Sequence, residues 1–200
     1  MIKTLEAVCL MDIDGVVYPF DRALALVASE HLGRPETDFP PSEVWDFMSI
    51  QWGLTWPEYK ELLNVGVREH HLFERDLVID NAVEGWKTLR EMGWFIHVVS
   101  HLETRQAQSQ RLRWLQRMGL TFDDITFTGD KAPVAKLHLA RGTRRVVAVD
   151  DMPKNVEEYA SVEGVETYLV RRPWNSEFSH PHEVADLVQF ATTLRAPDQA

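Results

Sequence analysis

Two pairs of acids stand where an apolar strand should end. Asp12 and Asp14 close the run "VCLMDIDGVVYPF", residues 8 to 20, with Gly15 directly behind them, and Asp150 and Asp151 close "RRVVAVDD". Each carboxylate resists leaving water, and neighbours of like charge repel one another. A divalent cation is the simplest compensation. Mg²⁺ prefers oxygen ligands, keeps several waters and shares its shell with a phosphate. Either pair alone reads equally well as a helix cap or a solvated turn; two pairs, each ending an apolar strand, read as one metal site. In a continuous strand Asp12 and Asp14 would share a facing, because side chains alternate. A turn after Asp12 lets them diverge, with Gly15 supplying permissive dihedrals.

The elements that must hold these acids alternate along the chain. A first buried strand is expected at about Ala7 to Ile13. A helix follows over about Asn81 to Gly93, then a strand in "WFIHVVS", a basic amphipathic helix from about Glu103 to Met118, and a short strand in "ITFTG". "KAPVAKLHLARG" and "MPKNVEEYAS" read as helices, "RRVVAVDD" and "VETYLV" as strands, and "HEVADLVQFATTL" as a closing helix. Such alternation implies a mostly parallel, Rossmann-like α/β sheet flanked by helices, with its site outside the carboxyl ends of the strands.

One stretch breaks the pattern. From about Tyr18 to Asp80 no strand is evident, and "RALALVASEHLG", "SEVWDFMSIQWG" and "WPEYKELLNVGVREHHLFE" read as helices. We read residues 19–78 as a helical cap inserted after the first strand, with residues 1–18 and 79–200 as the catalytic core.

Composition narrows the function. Lys and Arg total 21 against 31 Asp and Glu, a formal net charge of −10, so broad binding to a nucleic-acid duplex is disfavoured. A single cysteine, Cys9, rules out an intrachain disulfide and reads as a buried thiol. The amino-terminal residues show no basic stretch followed by a long apolar one, and no segment is long and apolar enough to span a membrane; a cytoplasmic location is expected.

On these residues the chain resembles the haloacid dehalogenase superfamily of phosphohydrolases. "DIDGVV" resembles its first motif, Ser100 at the end of "FIHVVS" its second, Lys131 its third, and Asp150-Asp151 its fourth. "VDDMPKNVEEYASVEGVETYLVRRPWN" and "TGDKAPV" are similar, more narrowly, to the 5′(3′)-deoxyribonucleotidase-like family. The resemblance implies that Asp12 attacks phosphorus and that Asp14 serves as general acid, then base. It implies that Ser100 and Lys131 bind the phosphoryl group. Mg²⁺ would be held by Asp12, the Asp14 backbone carbonyl, Asp150 and Asp151. The expected reaction is hydrolysis of a (deoxy)nucleoside monophosphate, a sugar phosphate or other small metabolite being the alternative. A phosphoacceptor signalling domain and a silent binding protein are remoter readings. The partner is a small phosphorylated substrate; a homodimer is the assembly considered.

Supporting residues are less specific. Lys136 is a rival to Lys131, and Ser100 could serve only as a helix cap. His101 is a candidate substrate contact, although "SHLET" departs from the family's proline-containing pattern here. Arg105 is a weaker candidate, most arginines of its helix reading as solvated. Among the cap aromatics Trp45, Phe47, Trp52, Trp56, Tyr59 and Phe73, most are expected to form the cap's own core. Phe20 lies where the resemblance implies a ring that stacks on the base. His70-His71 suggest a metal pair, but neighbours on a helix diverge, which favours a solvated end.

Overall fold

The computed structural model describes residues 5–194. Strand β1, Ala7–Met11, is apolar and fully buried, the pattern of a strand covered on both faces. Three helices follow, α1 (Phe20–Leu32), α2 (Phe47–Ile50) and α3 (Trp56–Arg68), with α4 (Ala82–Glu91) next. The chain then alternates β2 (Phe95–Ser100), α5 (Arg105–Arg117), β3 (Asp124–Phe127), α6 (Ala132–Ala140), β4 (Arg145–Asp150), α7 (Pro153–Ala160) and β5 (Val165–Val170). It closes with β6 (Glu183–Val184) and α8 (Leu187–Thr193).

The six strands form one sheet in the order β3-β2-β1-β4-β5-β6, and every pair is parallel. This is a Rossmann-like α/β sheet whose strand order reverses between β1 and β4, where such sheets bind ligands. Alternation along β1 sends Ala7, Cys9 and Met11 into the larger apolar cluster, with Trp86, Trp114 and Phe190 of α4, α5 and α8. Val8 and Leu10 go to the smaller one, with Val134, Ala135 and Tyr159 of α6 and α7. Helix α4 lies so close to α8 that a Cβ on Gly85 would stand 2.4 Å from the Leu187 carbonyl.

The helical stretch between β1 and β2 holds no strand among the described residues. Its residues Leu24, Val27, Phe39, Trp52 and Leu62 belong to the larger cluster, so this block shares the sheet's core. Four expectations need correction. "WPEYKELLNVGVREHHLFE" is α-helical only over Trp56–Arg68, with His71 in left-handed backbone before a short turn of 3₁₀ helix. "SEVWDFMSIQWG" is not a helix throughout; only Phe47–Ile50 is helical, and Gln51 is used to bind the Glu43 N–H and the Pro41 carbonyl. "HEVADLVQFATTL" is not one helix either. Glu183–Val184 adds a sixth strand beside β5, and Asp186 accepts from Gln189 N at 2.8 Å to start α8 only afterwards. Strand β1 ends at Met11, two residues earlier than expected.

Candidate active site

Both acidic pairs lie at the switch point. The register pairs Met11 with Val149, and Asp12 N donates to Val149 O at 3.1 Å, so Asp12, just past the end of β1, stands level with Asp150 at the end of β4. Lys131, immediately before α6, is buried and donates from Nζ to Asp12 Oδ1 and to Asp150 Oδ2, each at 2.6 Å. Glu158 of α7 holds that lysine's backbone in place by accepting from Lys131 N (2.8 Å) and Ala132 N (3.0 Å). Asp150 is fixed in turn by Met152 N and by the Asn155 amide.

Asp12, Asp150 and Asp151 are all buried, and each offers an oxygen within 4.8 Å of the others'. Burial drives the Asp12 carboxyl well above its ordinary range, against the pull of Lys131. Burial and then the Asp150 charge raise Asp151 to about 7. On Lys131 burial acts downward, but the Asp12 and Asp150 carboxylates outweigh it and hold the ammonium charged well above its usual range. Three carboxylates facing one lysine leave negative charge uncompensated. An all-oxygen, buried donor set of this kind fits a hard divalent cation.

The chain does turn after Asp12. Val16, Val17 and Tyr18 all donate their N–H to Ile13 O, and Gly15 takes a positive φ of 77°. Asp14 consequently diverges from Asp12 and pairs with Arg111 of α5. Burial raises the Asp14 carboxyl and Arg111 opposes it. Glycine is needed at position 15 for a second reason: a Cβ there would stand 2.2 Å from Asp151 Oδ2.

The other expected residues lie as follows. Ser100 ends β2, is fully buried, and its hydroxyl has no hydrogen-bond partner. His101 is exposed, with Nε2 3.3 Å from where a Gly129 Cβ would stand. Lys136 and Arg105 are exposed on their helices. Phe20 is half-buried and stacks on Phe73 at 5.8 Å. Phe47 and Trp52 pack edge to face inside the helical block, whereas Trp45 and Trp56 are exposed. His70 and His71 bind different carboxylates, Glu30 and Glu74.

Several neighbours of the acids escaped sequence reading. The "RPWN" segment supports Asp151 and the loop beside it. Trp174 Nε1 donates to Asp151 Oδ2 at 2.7 Å, Asn175 Nδ2 to Asp151 O at 2.7 Å, and Arg172 Nε to Gly15 O at 2.6 Å. The motif was visible, but nothing in one sequence says which strand end it meets. Of the arginines of α5, only Arg111 is a correction: it is fully buried, whereas Arg105, Arg113 and Arg117 are exposed, the last two pairing with Glu74 and Asp76.

Parallel sheet, switch-point acids and bridging lysine together define a hydrolase of the haloacid dehalogenase kind. The family described as 5′ nucleotidase, deoxy (Pyrimidine), cytosolic type C protein matches residues 6–194, and the chain belongs to it. It is therefore a phosphoric monoester hydrolase of the 5′-nucleotidase type. A Chlorobaculum tepidum protein named "Putative 5′(3′)-deoxyribonucleotidase" is 26% identical over 154 residues, covering 74% of this chain and 71% of the relative. Among solved structures, a haloacid dehalogenase superfamily hydrolase from Geobacter sulfurreducens aligns with a TM-score of 0.58 at 17% identity, over 95% of this chain and 100% of that one. A predicted phosphoglycolate phosphatase from Haemophilus somnus aligns with 0.61 at 15% identity, over 96% and 99%. At those identities the structures speak to the fold alone. No helix among the described residues is long and apolar enough to cross a membrane.

Proposed function

We propose that this chain is a Mg²⁺-dependent phosphatase of (deoxy)nucleoside monophosphates that works through an aspartyl-phosphate. The observation that carries the reading is Lys131 bridging Asp12 and Asp150, 2.6 Å from each, beside the third buried carboxylate of Asp151. Asp12, Asp150, Asp151 and the Asp14 backbone carbonyl would hold the ion, which when bound supplies charge stabilisation to phosphoryl oxygens. Asp12 attacks phosphorus, splitting one difficult hydrolysis into two steps. Asp14 protonates the departing alkoxide, then takes a proton from the water that releases phosphate. Lys131 pulls Asp12 towards its ionised form against burial and neutralises phosphoryl charge. The unpartnered Ser100 hydroxyl donates to a phosphoryl oxygen, and His101 contacts substrate from the rim.

Residues 19–78 act as a cap over a core of residues 1–18 and 79–200. Ile79 N donates to Val17 O at 2.9 Å, tying the two ends of the block together. Tyr59 of α3 feels the site directly: burial, and after it the Asp14 charge, push its hydroxyl up to about 12. Phe20, half-buried and stacked on Phe73, would stack on a base, a contact that tolerates any base. The nucleotide assignment also draws on the name of the Chlorobaculum relative.

Purified protein should release phosphate from dUMP or dTMP with Mg²⁺ present, and Asp12→Asn should abolish turnover. Full activity in that variant would reject the nucleophile; preference for sugar phosphates across a substrate screen would reject the nucleotide.

A further inference from the structure

Arg111 has no solvent-exposed side-chain surface, although it lies on a helix otherwise rich in exposed basic residues. Its guanidinium carbon lies 4.2 Å from the Tyr18 ring centroid, 5.2 Å from Trp114 and 5.4 Å from Phe73. Nη2 donates to Asp14 Oδ1, while Nε and Nη1 are buried without a partner. Burying a guanidinium is costly, and an ion pair of this sort seldom stabilises a fold more than apolar packing would. The arginine is better explained by its effect on its partner. Asp14 is partly exposed, at 26% for the side chain, and among the described residues only Arg111 holds its carboxyl.

We propose that Arg111 is a positioning residue that anchors one oxygen of Asp14 and thereby aims the other at the leaving group. The inference rests on Asp14 being the proton donor of the proposed reaction. In that step a bond forms between Asp12 and phosphorus as the bond from phosphorus to the leaving oxygen breaks, and the proton of Asp14 passes to that oxygen. Arg111 transfers nothing. Its three rings tie the aim to the surroundings: Tyr18 belongs to the turn that carries Asp14, Trp114 to α5, and Phe73 to the exit of the helical block.

The leaving group supplies the test. An alkoxide needs the proton; a nitrophenolate departs without it. The kcat/KM values for dUMP and p-nitrophenyl phosphate, which report only the steps up to departure of the leaving group, should be compared for the wild type, Asp14→Asn, Arg111→Met and Arg111→Lys, with circular dichroism and Tm checking the fold. The dUMP-to-nitrophenyl rate ratio should fall about 10²-fold in Asp14→Asn and in Arg111→Met. Lysine, which keeps the charge but loses the fork, should restore part of it. A ratio that falls in Asp14→Asn yet stays at the wild-type value in both Arg111 variants would overturn the proposal and leave Asp14 in its role. An unchanged ratio in Asp14→Asn would remove the proton donor itself, and the proposal with it. If Arg111→Met does not fold, Arg111→Lys carries the same comparison: a lowered ratio supports the proposal and a wild-type ratio overturns it.

Discussion

Lys131 is a buried cation whose two partners are buried anions. Replacing it with methionine leaves Asp12 and Asp150 facing one another without a counter-charge. Removal of one partner from such a buried set costs about 3–5 kcal/mol. We expect that loss in chelator at pH 8, read by urea denaturation. Carboxyls raised in the folded state bind protons that the unfolded chain releases, so their penalty grows as pH rises. The deficit of Lys131→Met should therefore be smaller at pH 5 than at pH 8; an equal deficit would place the cost elsewhere. At position 15 a side chain meets both a left-handed backbone and the Asp151 carboxylate. Gly15→Ala should lower stability by about 1–2 kcal/mol from the backbone alone, and phosphate release should drop further because Asp151 must move. The acids and the lysine could be read from sequence because each sits at a strand end or beside a helix start, positions that hydrophobic pattern marks. Arg111 could not, since its neighbours Arg105, Arg113 and Arg117 share its residue type and only tertiary packing sets it apart.

At the level of elements, α5 is a gripping surface. Gln106, Gln110, Arg113 and Arg117 fall at helical spacing along it. Gln106 and Gln110 both donate to Val67 O, at 3.1 and 2.6 Å, and Gln110 also accepts from Phe73 N at 3.2 Å. Gln110 is buried, so Gln110→Ala strands polar groups of the segment leaving α3. A loss of about 1–3 kcal/mol is expected by chemical denaturation; a change near zero would mean that water replaces the amide. The "RPWN" segment after β5 supports the acids from the other side. Trp174→Phe removes the indole donor to Asp151 while keeping an aromatic ring, and partners of this kind typically contribute 10–100-fold to metal affinity. Calorimetric titration with Mg²⁺ should show weakening of about that size, and unchanged affinity would reduce Trp174 to packing. Strand β6 was hidden for a related reason. Two residues carry no usable period, and the helix pattern of "ADLVQFATTL" runs straight into them.

Across the whole molecule, the sheet face opposite the larger cluster carries a buried histidine pair. His97 Nδ1 and His138 Nε2 lie 2.8 Å apart, and Thr126 takes the far nitrogen of His97. Burial pushes both imidazoles down, His138 to about 4 with the His97 charge contributing. The folded chain then binds fewer protons than the unfolded one below about pH 6.5, the ordinary histidine range. Stability carried by the pair is present above that value and lost as pH falls towards 4. His138→Leu should flatten the dependence of Tm on pH in this window; an undiminished slope would assign it to other groups. The parallel α/β class could be read from the alternation of elements, but the strand order could not, because adjacency in the sheet is decided by crossovers rather than by any local pattern.

The hydrogen bond from Ile79 to Val17 brings the two ends of the helical block together beside the turn that carries Asp14. Whatever lies along that detour, its departure and arrival stay a fixed distance apart. The spacing of Asp12 from Ser100 is set by the register of β1 on β2, so lengthened exposed loops there should leave it unchanged. Under the proposed cap reading, recognition can change there while the chemistry stays the same.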